Sequence, residues 1–176
     1  MRQKRMKRSG ARLWLYGAPL LIWLLVIFMM SAQPYTKQDL KPWIKQHLSE
    51  PVMKEHLGQV EVKYGGRTIS VEKNGAAGFV EFVIRKGAHL LVYMLLGMMM
   101  YRLLAYVLQG RSTYVPISLA LVLCSLYAVS DEWHQRYTVS RTPMVADVLV
   151  DVCGAALGIG TAWLFMYGKR GRREVT

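Results

Sequence analysis

Four long apolar stretches alternate with polar segments along this chain. Residues 13–30 carry no charge, and 18 residues are just enough to cross a bilayer core as a helix. Residues 87–108 are interrupted only by His89 and Arg102. A third stretch opens at Pro116, a residue suited to the first turn of a helix, and stays uncharged through Ser130. Extended as a helix to Gln135, it reaches spanning length. The fourth, residues 144–167, contains Asp147 and Asp151. The pattern predicts an all-α integral membrane protein, a bundle of four transmembrane helices.

Residues 31–78, between the first two spans, are polar and varied. Residues 36–57 read as one or two short amphipathic helices broken at Pro42 and Pro51. Trp43, Ile44 and Leu48 would rest on the membrane interface or the bundle. Val60, Val62 and Tyr64 alternate with polar residues, as do Ile69 and Val71, and Gly65-Gly66 lies between the two runs. That pattern predicts a two-residue β-hairpin turn. Residues 74–78 then read as a linker. The expected organisation is a basic N-terminus with the first helix (1–33), an extracytoplasmic insert (34–78), a three-helix core (79–168) and a basic tail (169–176). The bland reading of the insert is a cap, and the sharper one is a partner-recognition element.

Composition and charge orient this arrangement. The chain is 53% hydrophobic with a formal charge of +12, which argues against a disordered basic protein. Its two cysteines cannot build a disulfide scaffold. Cys124 and Cys153 fall inside spans and read as free, buried thiols. With the N-terminus in the cytoplasm, the inner segments hold twelve basic residues and one acidic residue, Glu174. Such a bias in short loops puts both termini in the cytoplasm of a multi-pass cell-membrane protein. The first span could instead be a signal peptide, but residues 30–32 lack a small residue at the first position of a cleavage site. The basic ends suit anionic lipid headgroups. No nucleic-acid recognition motif accompanies them, so no nucleic-acid partner is expected.

The residues able to do chemistry gather at the outer ends of spans two, three and four. Arg85, His89, Tyr93 and Gly97 follow at i+4 along one helix face, with Lys86 adjacent. Span three ends in Ser130-Asp131-Glu132-Trp133-His134-Gln135-Arg136, followed by Arg141. Asp147 and Asp151 are one turn apart, and Gly154 and Gly158 continue nearly the same face as a small-xxx-small pattern. At about 1.5 Å per residue from Pro143, Asp147 lies ~6 Å deep and Asp151 ~12 Å deep. Ionised groups at such depth are costly against lipid. They must face the bundle interior, where Arg85, Lys86, Arg141 and His89 can pair with them.

These motifs together resemble VanZ-like membrane proteins. The run Arg85-Lys86-Gly87-Ala88-His89-Leu90-Leu91-Val92-Tyr93 is similar to the family's RK-x-x-H-x-x-x-Y signature. Ser130 to Gln135 resembles its S-D-E-x-x-Q element, and Arg141, Asp147, Asp151, Gly154 and Gly158 resemble its closing run. Many members have Asn where this chain has Asp151. The resemblance covers residues 79–168. It implies a cell-envelope setting, a fold and a link to teicoplanin resistance, and no particular reaction.

Three function classes follow. In the first, an outer-leaflet polar pocket engages an anionic envelope lipid or lipid-linked cell-wall precursor and lowers glycopeptide susceptibility. The binding residues would be Arg85, Lys86, Tyr93, Asp131, Gln135, Arg141, Asp147 and Asp151. Arg136 also belongs to the basic group able to grip a phosphate or carboxylate; the bland alternative is ordinary headgroup contact. In the second, an enzyme acts on a lipid-linked or phospholipid substrate with Glu132 and His89 as acid and base. The bland alternatives are an ion pair for Glu132 with Arg85, Lys86 or Arg141, and an interhelical hydrogen bond for His89. In the third, Asp147 and Asp151 serve a lipid or ion translocator, although no inverted repeat is evident. His89 with Asp131, His134 and Asp147 is a conceivable metal site. No zinc spacing such as H-E-x-x-H is present, so no metal or cofactor is assigned.

Overall fold

The computed structural model describes residues 2–137 and 144–173. Helix α1 runs over Arg2–Ser31. A single 3-10 turn at Tyr35–Lys37 leads to α2 (Lys41–His47) and α3 (Glu50–Leu57). Strands β1 (Glu61–Tyr64) and β2 (Arg67–Ser70) form an antiparallel hairpin in which Tyr64 faces Arg67. Then come α4 (Val71–Val107), α5 (Tyr114–Gln135) and α6 (Val145–Arg173). Segments of α1, α4, α5 and α6 are long and apolar enough to cross a membrane. The chain is therefore a multi-pass membrane protein built as an all-α bundle, with a small two-stranded insert.

The contacts fix the helix directions. Trp23 Nε1 on α1 donates to the Val92 carbonyl on α4, while Tyr16, two turns earlier on α1, packs its ring at a tilt against Tyr106 near the end of α4. These two helices are antiparallel. Tyr127 on α5 donates to the Leu24 carbonyl, and Phe28 meets His134, so α5 runs with α1. α4 and α6 run together: Lys86, Leu90 and Met94 meet Asp147, Gly154 and Gly158 in that order. The start of α1, the end of α6 and the 108–113 connection therefore share one end of the bundle, and the insert caps the other.

Where α4 meets α6, the backbones touch. A Cβ at Gly97 would overlap the Ala155 backbone, one at Gly154 the Leu90 carbonyl, and one at Gly158 the Met94 carbonyl. Only glycine permits this approach, as the small-xxx-small spacing anticipates. The bundle core also includes Tyr93, Leu96, Tyr101, Ala120, Cys124, Ala128 and Ile159. Leu21, Ile22 and Leu25 on α1, and Leu164 and Phe165 on α6, are exposed apolar side chains suited to lipid.

Three local expectations change. Pro42 and Pro51 do not break helices; they stand in the first turns of α2 and α3, where the missing amide costs no helical hydrogen bond. Residues 74–78 are not a linker. α4 begins at Val71, 16 residues before the apolar stretch, and turns at Gly75, whose φ of 72° is natural for glycine. Ser70 caps this start, accepting the Lys73 amide at 3.3 Å. The charges at 72–86 hid this helix because the insert, not lipid, covers its apolar side: Ile44, Met53, Val71, Ala76, Ala77 and Phe79 form a second small core. Finally, Cys124 is buried as expected, but Cys153 is exposed on the outer side of α6.

The hairpin follows the sequence reading. Gly65 and Gly66 both take positive φ, 56° and 77°, the conformation that a tight hairpin of this twist requires.

Candidate functional site

The site is built at the insert-bearing end, and α4 supplies its spine. Lys86 Nζ lies 2.6 Å from Asp147 Oδ1 at the start of α6. The Tyr64 hydroxyl, delivered by β1, donates to the same carboxylate oxygen. Lys86 also stands 4.8 Å from the Tyr64 ring centre, a cation–π distance. Burial, then the hydrogen bond to Asp147, push the Tyr64 hydroxyl pKa far above its ordinary value, so it stays a donor. One turn deeper, His89 Nδ1 pairs with Asp151 Oδ1 at 3.2 Å, and Asp151 is only 1% exposed. Both aspartates thus face the bundle interior and meet basic partners, as their depth requires. His89 makes the interhelical hydrogen bond that was its simpler expectation.

α5 contributes a neighbouring layer. Gln135 Nε2 donates to Asp131 Oδ2 at 3.1 Å, and both are buried. Tyr93, 1% exposed, packs beside the Tyr127 ring at 6.5 Å between centroids. Glu132 makes a backbone contact that the sequence did not suggest. Its Oε1 accepts the Met144 amide at 2.6 Å, fastening the end of α5 to the start of α6. Among the described residues it forms no ion pair. Arg141, the third expected partner, lies outside the described residues.

Arg85 is placed differently from Lys86. Its guanidinium lies 4.8 Å from the centre of the Tyr35 ring. Among the described residues it has no carboxylate partner, and its Nη1 is buried without a hydrogen bond. Beside it stands Glu81, a residue that the sequence reading missed. Glu81 is 3% exposed and accepts the Tyr35 hydroxyl at 2.7 Å and the Leu40 amide at 3.1 Å, with Lys41 at 3.8 Å. Burial and this contact raise the Tyr35 pKa, keeping it protonated. The signal for Glu81 was present: it precedes Arg85 by four residues and extends the 85–89–93 face upward. Tyr64 was visible as the inward position after Val60 and Val62.

Two cavities meet at this layer. One, about 310 Å³, lies between the hairpin, α4 and the start of α6 and is lined by Lys41, Tyr64, Arg67, Arg85, Lys86 and Asp147, among others. The second, about 120 Å³, lies between α1, α4 and α5, against Ile27, Ala88, His89, Tyr93 and Asp131. Arg85 and Gln135 line both. Glu132 lines neither. Of the proposed metal set, His134 is turned to Phe28, 4.7 Å between ring centres. No group of three His, Cys, Asp or Glu side chains able to hold a metal gathers among the described residues. Arg136 stacks on Trp133 at 5.8 Å, outside both cavities.

No curated protein and no solved structure matches the chain. A family model does: VanZ/LLP1 matches residues 16–166, from the first span to the last and including every described residue of the site. With the spans, the paired aspartates and the glycine seam in place, the chain belongs to the VanZ/LLP1 family of membrane proteins.

Proposed function

We propose that this VanZ-like protein lowers susceptibility to teicoplanin-type glycopeptides. It does so by engaging an anionic envelope lipid or lipid-linked cell-wall precursor in its polar pocket. The observation that carries the reading is the larger cavity, where four cationic residues, Lys41, Arg67, Arg85 and Lys86, line one basin at the capped end of the bundle. Arginine forks and lysine points of charge suit phosphate and carboxylate groups. The charge bias of the short segments supports placing both termini in the cytoplasm and this basin at the outer leaflet of the cell membrane.

Glu132 and His89 are each engaged in a structural contact, and Glu132 lies off both cavities. This favours binding over acid–base catalysis, and no observation favours the translocator reading.

The test is teicoplanin beside vancomycin susceptibility in cells lacking the chain and re-expressing it at matched membrane abundance. Wild type should protect and Arg85→Gln should not. If wild type gives no protection, the resistance role is wrong. A periplasm-type reporter fused at Gly171 should be inactive; activity there would reverse the orientation.

A further inference from the structure

We infer that the basin beneath the hairpin is a subsite for a phosphate carrying two negative charges, a terminal phosphomonoester or a pyrophosphate, gripped by Arg85 and Arg67. This rests on the proposed binding role and names its ligand class. The larger cavity is lined by four cationic and two anionic side chains. The anions are already used. Glu81 holds Lys41 and the Tyr35 hydroxyl, and Asp147 holds Lys86 and the Tyr64 hydroxyl. Among the described residues, Arg67 and Arg85 have no carboxylate within the 4.0 Å that defines an ion pair. Two guanidiniums without a carboxylate partner among the described residues therefore line one cavity.

They differ in setting. Arg67, on β2, stands at the exposed rim. Arg85 is half-buried, 4.8 Å from the Tyr35 ring centre, with one nitrogen that is shielded from solvent and meets no acceptor among the described residues. A buried guanidinium nitrogen without an acceptor is costly. An oxyanion in the basin that the Arg85 side chain shifts to meet would remove that cost, and the planar guanidinium can offer two parallel N–H donors to it. The nearby Tyr35 ring restrains the side chain, so less of its freedom is lost on binding.

The geometry also favours a lipid source. Arg85 lines the smaller cavity as well, where Ile27, Met30, Ala88 and Val92 offer apolar surface towards the bundle. A phosphate on Arg85 could keep its first methylene groups against these residues. Free phosphate shares the headgroup chemistry but lacks this contact.

The experiment uses the full chain in nanodiscs, with thermal unfolding followed by tryptophan fluorescence. Phosphatidic acid, a phosphomonoester lipid, is titrated into phosphatidylcholine discs. The melting temperature should rise saturably, and more than with an equal share of phosphatidylglycerol, a singly charged diester. Arg85→Gln should raise the half-saturating fraction by about tenfold or more, the loss of a charge-assisted hydrogen bond. Arg67→Gln should raise it by a smaller factor and serves if Arg85→Gln does not fold. Arg111→Gln, at the opposite end of the bundle, should change nothing. Inorganic phosphate and pyrophosphate in pure phosphatidylcholine discs form the soluble arm. Arginine-dependent protection there supports the same subsite with a soluble ligand, and its confinement to phosphatidic acid supports a lipid one. If no phosphate species protects wild type, or if both arginine variants respond like wild type, the subsite does not exist. Arginine-dependent binding without glycopeptide protection would leave this inference standing and remove the resistance role. Protection without phosphate binding would do the reverse.

Discussion

α4 and α6 meet twice, by opposite means. Along Gly97, Gly154 and Gly158 the two helices touch backbone to backbone, because side chains are absent. At the capped end the same helices are joined by long side chains: Lys86 reaches Asp147, Tyr64 joins from the hairpin, and a cavity opens beside them. Lipid supplies no hydrophobic drive between helices, so the seam relies on close contact over many atoms. The capped end borders water and headgroups, where charged groups are tolerable and useful. The seam sets the separation of the helices, and the polar end turns that fixed separation into a binding space. Shape errors should therefore be ruinous in the seam, and charge errors should be graded at the cap.

The largest effect should come from Gly158→Leu, whose side chain would drive into the Met94 carbonyl. Overpacking against backbone should cost about 3 kcal/mol or more, and monodisperse protein in detergent should be nearly lost. A Gly158→Leu protein that unfolds at the wild-type temperature would break the comparison.

Next is Asp147→Ala, which strands Lys86 and the Tyr64 hydroxyl. Removing one partner of a buried pair costs roughly 3–5 kcal/mol. Here Lys86 keeps 24% of its side chain exposed, so water should reduce the loss to about 2 kcal/mol. The double change Lys86→Met with Asp147→Leu should recover most of it, since the pair as a whole is not strongly stabilising. Thermal unfolding in one nanodisc composition would check both.

Tyr64→Phe should cost about 1 kcal/mol, a single hydrogen bond to a partly exposed carboxylate. Its pH signature sharpens the assignment. The folded Tyr64 pKa lies above its ordinary value of 10.0. Its contribution is therefore complete below pH 10 and shrinks as the unfolded chain ionises at higher pH. Wild type should lose more stability between pH 9 and 11 than Tyr64→Phe does. Equal slopes would mean that the hairpin is not latched through this hydroxyl.

The smallest effect should come from Glu132→Gln. The amide oxygen can still accept the Met144 amide, so stability should change by less than ~1 kcal/mol. Glycopeptide protection should persist. Complete loss of protection in a folded variant would restore an acid–base role for Glu132.

The spans, the hairpin with its Gly65-Gly66 turn and the Arg85–His89–Tyr93 face were legible because each follows a local period or a single residue's backbone preference. The inward placing of Asp147 and Asp151 was legible from the energetic cost of a charge in lipid. The start of α4 was not. Residues 71–86 carry the charges of an exposed segment, yet their apolar side is covered by α2, α3 and the hairpin. Sequence periodicity does not say which neighbour will cover a face. The contact of Glu132 was hidden for a related reason: its partner there is a backbone amide, and every residue except proline offers one.

The sequence by itself determined the number of spans, the glycine stripe and which residue types would gather at the polar end, because length, charge and side-chain size act locally against a bilayer. Only the tertiary structure decided which cation receives which anion. Lys86 and Arg85 are neighbours in sequence, but successive residues on a helix point about 100° apart. That rotation sends Lys86 to Asp147 and leaves Arg85 on Tyr35, without a carboxylate partner among the described residues.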